Sequence, residues 1–565
     1  MLELVVLLNI GIYKAMNKMS SERKKTGATF TPKILSDFVS INVLNESSDI
    51  LKKDVVRILE PSIGEGELIC SILENVEEKN LKKIEVYGFD TNIKSVGVSE
   101  CRLKNNFPSL KKVDIRHADF LQFFVDGYGG PFSEEKFDLI IANPPYVRTQ
   151  VMGTELSRQI ASVFKLTGRV DLYQAFVVAM LESLSPDGTM GVIVSNRFMS
   201  VKNGEIVRQA FLDKSHVSHV WDLGDTKLFD AAVLPAVIIT KGLSISVPKA
   251  TFTSIYETTQ AASFSASNPI EALNHTGNVR VGKQVFQVQK GNLDTSRDGW
   301  RLSNVEVENW IKTVESKTWK TFGDIGKIRV GVKTCADKVF IRKDWGTVPT
   351  SELPELLRPL TTHFIARRFK ADKTKADYRI VYPHKVDDGK RKVIDLEGYP
   401  NTLRYLTERK EILQSRKYVE EAGRNWYEIW VPQDPGLWSR KKIVFRDISK
   451  EPIFWLDDEG TVINGDCYWF VAEDEKNDDL LWLAMAVANS PFIEKFYDIK
   501  FNNKLYSGRR RFVTQYVEKF PLPNPSLEQS KKIIALSKKA FNEVDGEDFF
   551  KIKQAIDDLV WQSFS

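Results

Sequence analysis

Cysteine and histidine are scarce, four and six in 565 residues. Cys70, Cys101, Cys335 and Cys467 form no CxxC pair. That argues against a zinc site, and more strongly against a disulfide framework, and it suits a reducing cytosol. No apolar run reaches the ~20 residues that span a bilayer. The opening MLELVVLLNIGIY is short, is interrupted by Glu3 and lacks a basic segment before it. It reads as a helix or strand docked on a core, or as an upstream extension, and not as a signal peptide. With 42% hydrophobic and 27% charged residues, collagen-like, disordered and disulfide-scaffold classes are excluded. The length fits about three to five domains or large subdomains.

The net charge of +5 is unevenly placed. Residues 1–250 carry 30 Lys+Arg and 30 Asp+Glu, which leaves 50 and 45 for the remainder. A neutral front and a basic back fit a catalytic domain followed by a polyanion-binding one; chance is the alternative.

From Val55 to Lys241 short apolar runs alternate with helical stretches. VVRILEP, KIEVYGFD, VDIRHADF, FDLIIANPPY, the run after the SPDG turn, HVSHVWDLG and AVLPAVIITK read as strands. Helices are read near Glu67–Asn75 and over Tyr173–Leu184. This alternation predicts an α/β fold, a doubly wound, mostly parallel sheet covered on both faces. Ligands of such sheets bind beyond the carboxyl ends of the strands. Residues 246–304, rich in Ser and Thr, read as a linker or peripheral strands.

Four strand-end motifs carry the chemistry. In LEPSIGEGEL, Gly64 and Gly66 let the backbone approach a ligand. The loop lacks GxGxxG and GK[ST], and Glu60, Glu65 and Glu67 would repel a pyrophosphate. Acids beside a glycine turn suit a cationic cofactor without phosphate, such as S-adenosylmethionine; an ordinary strand–helix turn is the plain alternative. Asp90 ends a strand and can accept both hydroxyls of a ribose, or simply cap the strand. Asp119 and Phe120 can bind and stack on an adenine, or serve as a helix cap and a core ring. The fourth motif, Asn143-Pro144-Pro145-Tyr146, is the specific one. Two prolines stiffen the loop and remove two donors. The Asn143 amide oxygen and the Pro144 carbonyl can accept both hydrogens of a planar amino group, and Tyr146 offers a stacking face.

With these motifs in this order the chain resembles the gamma-class amino DNA methyltransferases, the N6-adenine enzymes of the TaqI type found in restriction–modification systems. GATFTPKILSDFV resembles the opening segment of that family, and Thr31 falls on its cofactor-contacting threonine. Glu60, Pro61, Ser62 and Gly64 fall on the loop for the methionine part, Asp90 on the ribose acid, and Asp119 and Phe120 on the adenine pair. DLYQAFVVAMLESLSPDGTMGVIVSNRF resembles the next block. Phe229, in KLFDAAVLPAVIIT, falls on the second aromatic that sandwiches a flipped adenine. EPSIGEG departs from the usual DPACGSG-like loop at Ile63 and Glu65. The resemblance implies a class I S-adenosylmethionine-dependent methyltransferase fold over residues 26–245, after an extension at 1–25. It implies a mixed α/β target-recognition domain over 305–565, double-stranded DNA as partner, a possible separate cognate restriction endonuclease, and no membrane and no metal.

Beyond residue 305 basic and aromatic residues interleave. Arg367, Arg368, Phe369 and Lys370 form one cluster. Lys500, Lys504, Tyr506, Arg509, Arg510 and Arg511 form another, where positions 500–520 hold six Lys+Arg and one acid, Glu518. These arginines and Lys504 are candidate DNA contacts, through phosphates or by bidentate reading of guanine, or a solvated basic surface. Trp426, Tyr427 and Trp430 read as core. Methyl transfer to RNA, to protein glutamine or to cytosine N4 also suits an NPPY loop. The large basic tail favours DNA over RNA and protein.

Overall fold

The computed structural model describes residues 31–47, 49–126, 136–146, 162, 171–229, 234–245, 248–295, 299–474, 478–501, 505 and 508–565. The apolar N-terminal stretch read from the sequence, Lys504 and Tyr506 lie outside the described residues. The chain divides into two compact units between Asn304 and Val305.

In the first unit the apolar runs form β1 (Val56–Glu60), β2 (Ile84–Asp90), β3 (Lys112–His117), β4 (Phe137–Ala142), β5 (Leu184–Ser195), β6 (Ser215–Asp222) and β7 (Pro235–Gly242). Between them run α1 (Lys33–Asn45), α2 (Glu67–Glu74), α3 (Ile93–Asn106), α4 (Phe120–Asp126), α5 (Leu172–Ser183) and α6 (Glu205–Lys214). β1 to β5 pair in parallel, β7 runs antiparallel between β5 and β6, and the order is β3-β2-β1-β4-β5-β7-β6. This is the doubly wound sheet that the alternation of elements predicts. Helix α5 passes directly into β5, and the β4 pairing jumps from Phe137↔Leu184 to Leu139↔Thr189, so the SPDG turn is looped out of the ladder.

Alternate residues of the central strands enter two separate cores. Ile58, Leu139 and Ile141 join α1 and α2 on one face. Leu59, Ile140 and Ala142 join α5 and α6 on the other. Both faces being covered, the strands read as unbroken apolar runs.

The sheet continues past β6. β8 (Thr251–Thr258), β9 (Phe264–Ala266), β10 (Gly277–Val281), β11 (Gln284–Asp294) and β12 (Arg301–Ser303) extend it, β8 lying parallel to β6 and β12 pairing with β11. Of the two readings of this segment, linker or peripheral strands, the structure shows strands, for which its β-branched threonines are suited.

In the second unit a five-stranded sheet, centred on Lys442–Arg446, separates two cores. Ile443, Phe445, Phe454 and Leu456 face helices Val305–Lys317, Asp479–Ala488, Pro491–Phe501, Glu528–Asn542 and Phe549–Ser563. Val444, Trp455 and Trp469 enter the other core, shared with a four-stranded sheet.

Candidate active site

β1 lies between β2 and β4, all three parallel, so the loops that follow them emerge side by side. Glu60 is the last residue of β1 and is almost fully buried. It accepts the backbone N–H of Ile69, a first-turn donor of α2 that has no partner within the helix. Its other oxygen, Oε2, is buried with no hydrogen-bond partner among the described residues. Burial drives the Glu60 pKa well above the usual carboxylate value, and Asp90 and Glu67 push it further in that direction. An orphaned oxygen in a field of acids is a seat for a cation or a donor.

The glycine turn is shaped to expose backbone. Gly64 has φ +53° and open space where a Cβ would stand. Its N–H donates to Asp90 Oδ2 at 2.9 Å, while Asp90 Oδ1 accepts from Asn92 N at 2.7 Å. Each oxygen keeps a second lone pair. Ile63 is the unusual residue of the loop. It is buried over β2, where a Cβ on Gly88 would come within 2.6 Å of its Cδ1. Glu65 is exposed, and Arg102 holds its carbonyl at 2.8 Å. The donor set fits S-adenosylmethionine: a buried acid for the cationic methionine end, a second acid for the ribose, and no bulk over the turn.

The NPPY loop follows β4. Asn143 is clamped through three groups. Its Nδ2 donates to Thr31 Oγ1 at 3.1 Å, its Oδ1 accepts from the Tyr146 hydroxyl at 3.1 Å, and its carbonyl accepts from Ser62 Oγ at 3.3 Å. The Tyr146 hydroxyl also reaches the Ile193 carbonyl at 3.2 Å, and its ring lies 6.2 Å from that of Tyr173. Burial raises the pKa of both tyrosines, so each stays a neutral phenol. Pro144 is buried and Pro145 half-buried. Thr31, which the family resemblance assigns to the cofactor, accepts the Asn143 amide with its hydroxyl oxygen and keeps its O–H as a donor. Pro32, extended at φ −61° and ψ 143°, is the N-cap of α1.

Asp119, Phe120 and Phe229 lie outside that hydrogen-bonded cluster. Asp119 Oδ1 caps α4, accepting from Leu121 N at 2.8 Å and Gln122 N at 3.2 Å. Its Oδ2 is uncommitted among the described residues. Phe120 is buried against Phe89, Phe124 and Phe176. Phe229 is buried beyond the carboxyl end of β6.

The turn leading to Phe229 hangs on a polar network that no motif marks. Asn196 Nδ2 donates to Asp222 Oδ1 at 2.9 Å and to the Tyr256 hydroxyl at 3.0 Å, and that hydroxyl donates to Asp222 Oδ2 at 2.7 Å. Gly224 N and Glu257 N cap Asp222 and Asp225 at 3.2 and 2.8 Å. Asn196 and Asp222 at least end predicted strands. Tyr256 sits in the segment read as a linker or peripheral strands, where nothing marks it as a partner of Asn196 and Asp222.

The candidate DNA contacts in the second unit are mostly engaged in holding the fold. Arg510 is buried; it makes a bidentate pair with Asp498 at 2.6 and 2.7 Å, reaches Glu494 at 2.8 Å and donates to the Lys450 carbonyl. Arg511 forks onto Asp447 at 3.0 and 3.1 Å. Arg367 pairs with Asp545 at 2.5 Å and Arg368 with Glu451 at 2.7 Å. Arg509 alone of the run is exposed and unpaired among the described residues. A guanidinium held on two carboxylates inside the fold is not available to a phosphate, so Arg510 is corrected from DNA contact to fold element. Trp426 and Tyr427 pack on the buried core, as read from the sequence.

The chain matches the Eco57I restriction-modification methylase family over residues 50–229 and the TaqI-like C-terminal specificity domain over residues 379–522. It is 37% identical to the Type II methyltransferase M.BanIII of Aneurinibacillus aneurinilyticus, over 97% of this chain and 98% of that one. It is 24% identical to the Type II methyltransferase M.BstVI of Geobacillus stearothermophilus, over 88% and 90%. In fold it resembles the nuclease-deletion mutant of the Type ISP restriction-modification enzyme LlaGI in complex with a DNA substrate mimic. That likeness has a TM-score of 0.55 at 11% identity and covers 91% of this chain and 54% of that one.

Two stability effects are expected. Below the unfolded carboxyl value of 4.5 Glu60 is protonated folded or unfolded. As pH rises past it the unfolded chain ionises while the buried group resists, so stability is lost up to the folded pKa. Glu60→Gln removes that loss. Its thermal midpoint without cofactor should equal wild type at pH 4 and exceed it increasingly toward neutrality, by ~1.4 kcal/mol per pH unit while the folded group stays protonated. A parallel pair of pH curves would refute the burial effect. Arg510→Ala leaves two carboxylates uncompensated and should cost about 3–5 kcal/mol in urea unfolding, against under ~0.5 kcal/mol for Arg509→Ala.

Proposed function

Because the chain belongs to the Type II DNA methyltransferases of restriction–modification systems, we propose that it moves the methyl group of S-adenosylmethionine onto the N6 amino group of an adenine rotated out of the duplex. The observation that carries this reading is the clamp on Asn143 by Thr31, Ser62 and Tyr146 at the end of β4. A strand-end amide held in one orientation beside a buried, cation-seeking acid is built to present an amino nitrogen to a cationic methyl donor.

When bound, S-adenosylmethionine supplies a methyl group already activated on sulfonium. Glu60 would hold the methionine end, Asp90 the ribose, and Asp119 the adenine amino group, with Phe120 packed behind it. The flipped base costs a few kcal/mol in lost stacking and pairing. Tyr146 and Phe229 return part of it, at ~1–3 kcal/mol for a base stacked on an aromatic ring. Asn143 Oδ1 has two lone pairs, and the Tyr146 hydroxyl uses one. The other, with the Pro144 carbonyl, accepts the two hydrogens of the substrate amino group. That arrangement draws the nitrogen lone pair out of conjugation with the ring and aims it along the line of attack. Positioning of this kind is worth several orders of magnitude. The methylated nitrogen is acidic and releases its extra proton.

On this reading the second unit selects the DNA sequence, through its TaqI-like specificity domain, and the enzyme works in a prokaryotic cytosol beside a separately encoded endonuclease for the same site.

Tritium transfer from labelled S-adenosylmethionine to unmethylated bacterial DNA, followed by nucleoside analysis, tests the reaction. Label is expected in N6-methyladenine and should fall at least a hundredfold with Asn143→Ala. Label in N4-methylcytosine would keep the site and change the base; label confined to RNA or protein would overturn the assignment. Thr31→Val frees the Asn143 amide to turn without removing it. It should lower kcat about tenfold with little change in KM for DNA, whereas a KM effect alone would return Thr31 to cofactor or substrate binding.

A further inference from the structure

The second unit contains an open cleft of about 690 Å³ between the Lys333–Lys338 loop and the turn at Asn464–Asp466. Its floor is stitched from both walls. Val332 bridges to Asn464, Val332 N donates to the Ile463 carbonyl at 2.7 Å, and Gly331 N donates to the Cys467 carbonyl at 2.9 Å. Lys333 and Val431 exchange backbone hydrogen bonds at 3.0 and 2.9 Å.

The loop is held from behind by a buried arginine. Arg416 donates to four carbonyls, those of Thr334 at 2.9 Å, Trp426 at 2.8 Å, Glu428 at 3.0 Å and Leu413 at 3.1 Å. The Thr334 hydroxyl then bonds to Asp337 and accepts from Ala336 N. Cys335, between them, is pinned at φ +54°, a left-handed conformation that a non-glycine residue keeps only where its surroundings impose it.

What the cleft presents differs from what the arginine runs present. Of its two acids, Asp337 accepts the Thr334 hydroxyl, and Asp466 pairs through Oδ2 with His363 Nδ1 at 2.5 Å while its Oδ1 lies buried. Lys333 and Lys338 are exposed, and among the described residues neither makes an ion pair. The Asn464 side chain makes no hydrogen bond among them either, and Ile412 on the rim is 56% exposed. Two free ammonium groups, a free amide and an apolar edge on a rigid frame match a nucleic-acid groove. Lysines neutralise phosphates, an amide bonds bidentately to the N6/N7 edge of adenine, and an apolar side chain meets the thymine methyl.

We propose that this cleft is a base-reading subsite of the specificity unit, with Asn464 the specificity-determining residue and Lys333 and Lys338 its phosphate anchors. The proposal rests on the reading that the enzyme methylates DNA at a defined sequence.

The full-length protein is tested on a plasmid library of randomised sites, the methylated positions being read by single-molecule sequencing. Asn464→Ala should relax the methylated motif at one position and lower kcat/KM on the preferred duplex ten- to a hundredfold, with S-adenosylmethionine affinity unchanged. Lys333→Gln with Lys338→Gln, at exposed positions that leave the fold intact, should keep the motif, weaken binding to all duplexes, and reduce the salt dependence by about two units of slope. An unchanged motif and rate for Asn464→Ala, or an unchanged salt slope for the double lysine variant, overturns the subsite while leaving the methyl-transfer reading intact. A wild-type protein that puts no methyl group into DNA brings down both.

Discussion

Covering a parallel sheet on both faces confines most of the polar groups of its central strands to their ends, and the chemistry of this protein follows from that constraint. β1 and β4 send alternate residues into two dry cores, so Glu60 and Asn143 become polar only where the chain leaves the sheet. Because β1, β2 and β4 are neighbours in register, the loops after them emerge together, and short side chains suffice to join them. Ser62 reaches the Asn143 carbonyl, and Asp90 reaches Gly64 N. The site is assembled by the order of strands before any loop is considered.

That position has a thermodynamic cost concentrated in one residue. Glu60 gives one oxygen to α2 and leaves the other without a partner among the described residues. A buried carboxylate in that state destabilises the empty enzyme at neutral pH, and its acidic neighbours add to the penalty instead of relieving it. Residues kept in such a state belong to sites where a ligand supplies the missing charge or donor. Nearby, Asn143 shows the opposite solution. Its amide is held at both ends, by Thr31 and Tyr146, and the second lone pair of its oxygen stays available. One group attracts through dissatisfaction and the other positions through satisfaction, and amino-group methylation needs both.

Much of this was legible in the sequence because it depends on local pattern. Apolar runs fixed the seven strands of the methyltransferase core, and EPSIGEG, Asp90 and NPPY fell at their ends, where polar chemistry has to be. What was not legible depends on contacts between distant segments. Thr31 lies 112 residues before Asn143, and nothing around either residue announces that pairing. Asn196, Asp222 and Tyr256 meet only because β5, β6 and β8 share a sheet, and no local pattern around Tyr256 marks that meeting. Ile63 departs from the usual loop sequence, and its fit against Gly88, across the strand pair, is not visible from the loop alone.

The arginine run shows the same limit from the side of charge. Arg509, Arg510 and Arg511 read alike in sequence, as do Arg367 and Arg368, yet all but Arg509 have carboxylate partners supplied from elsewhere in the chain. The guanidinium fork suits a carboxylate geometrically, so a clustered arginine in a domain with abundant Asp and Glu is readily recruited to internal pairs. Lysine, a flexible point charge, gains less from a fixed partner and is more often left to solvent. A composition that carries 50 basic and 45 acidic residues after position 250 therefore says little about where a polyanion binds, since paired charges cancel locally. What counts is the charge left over after internal pairing. Around the 333–338 loop Lys333 and Lys338 make no ion pair among the described residues, so two ammonium groups face solvent from a rigid edge.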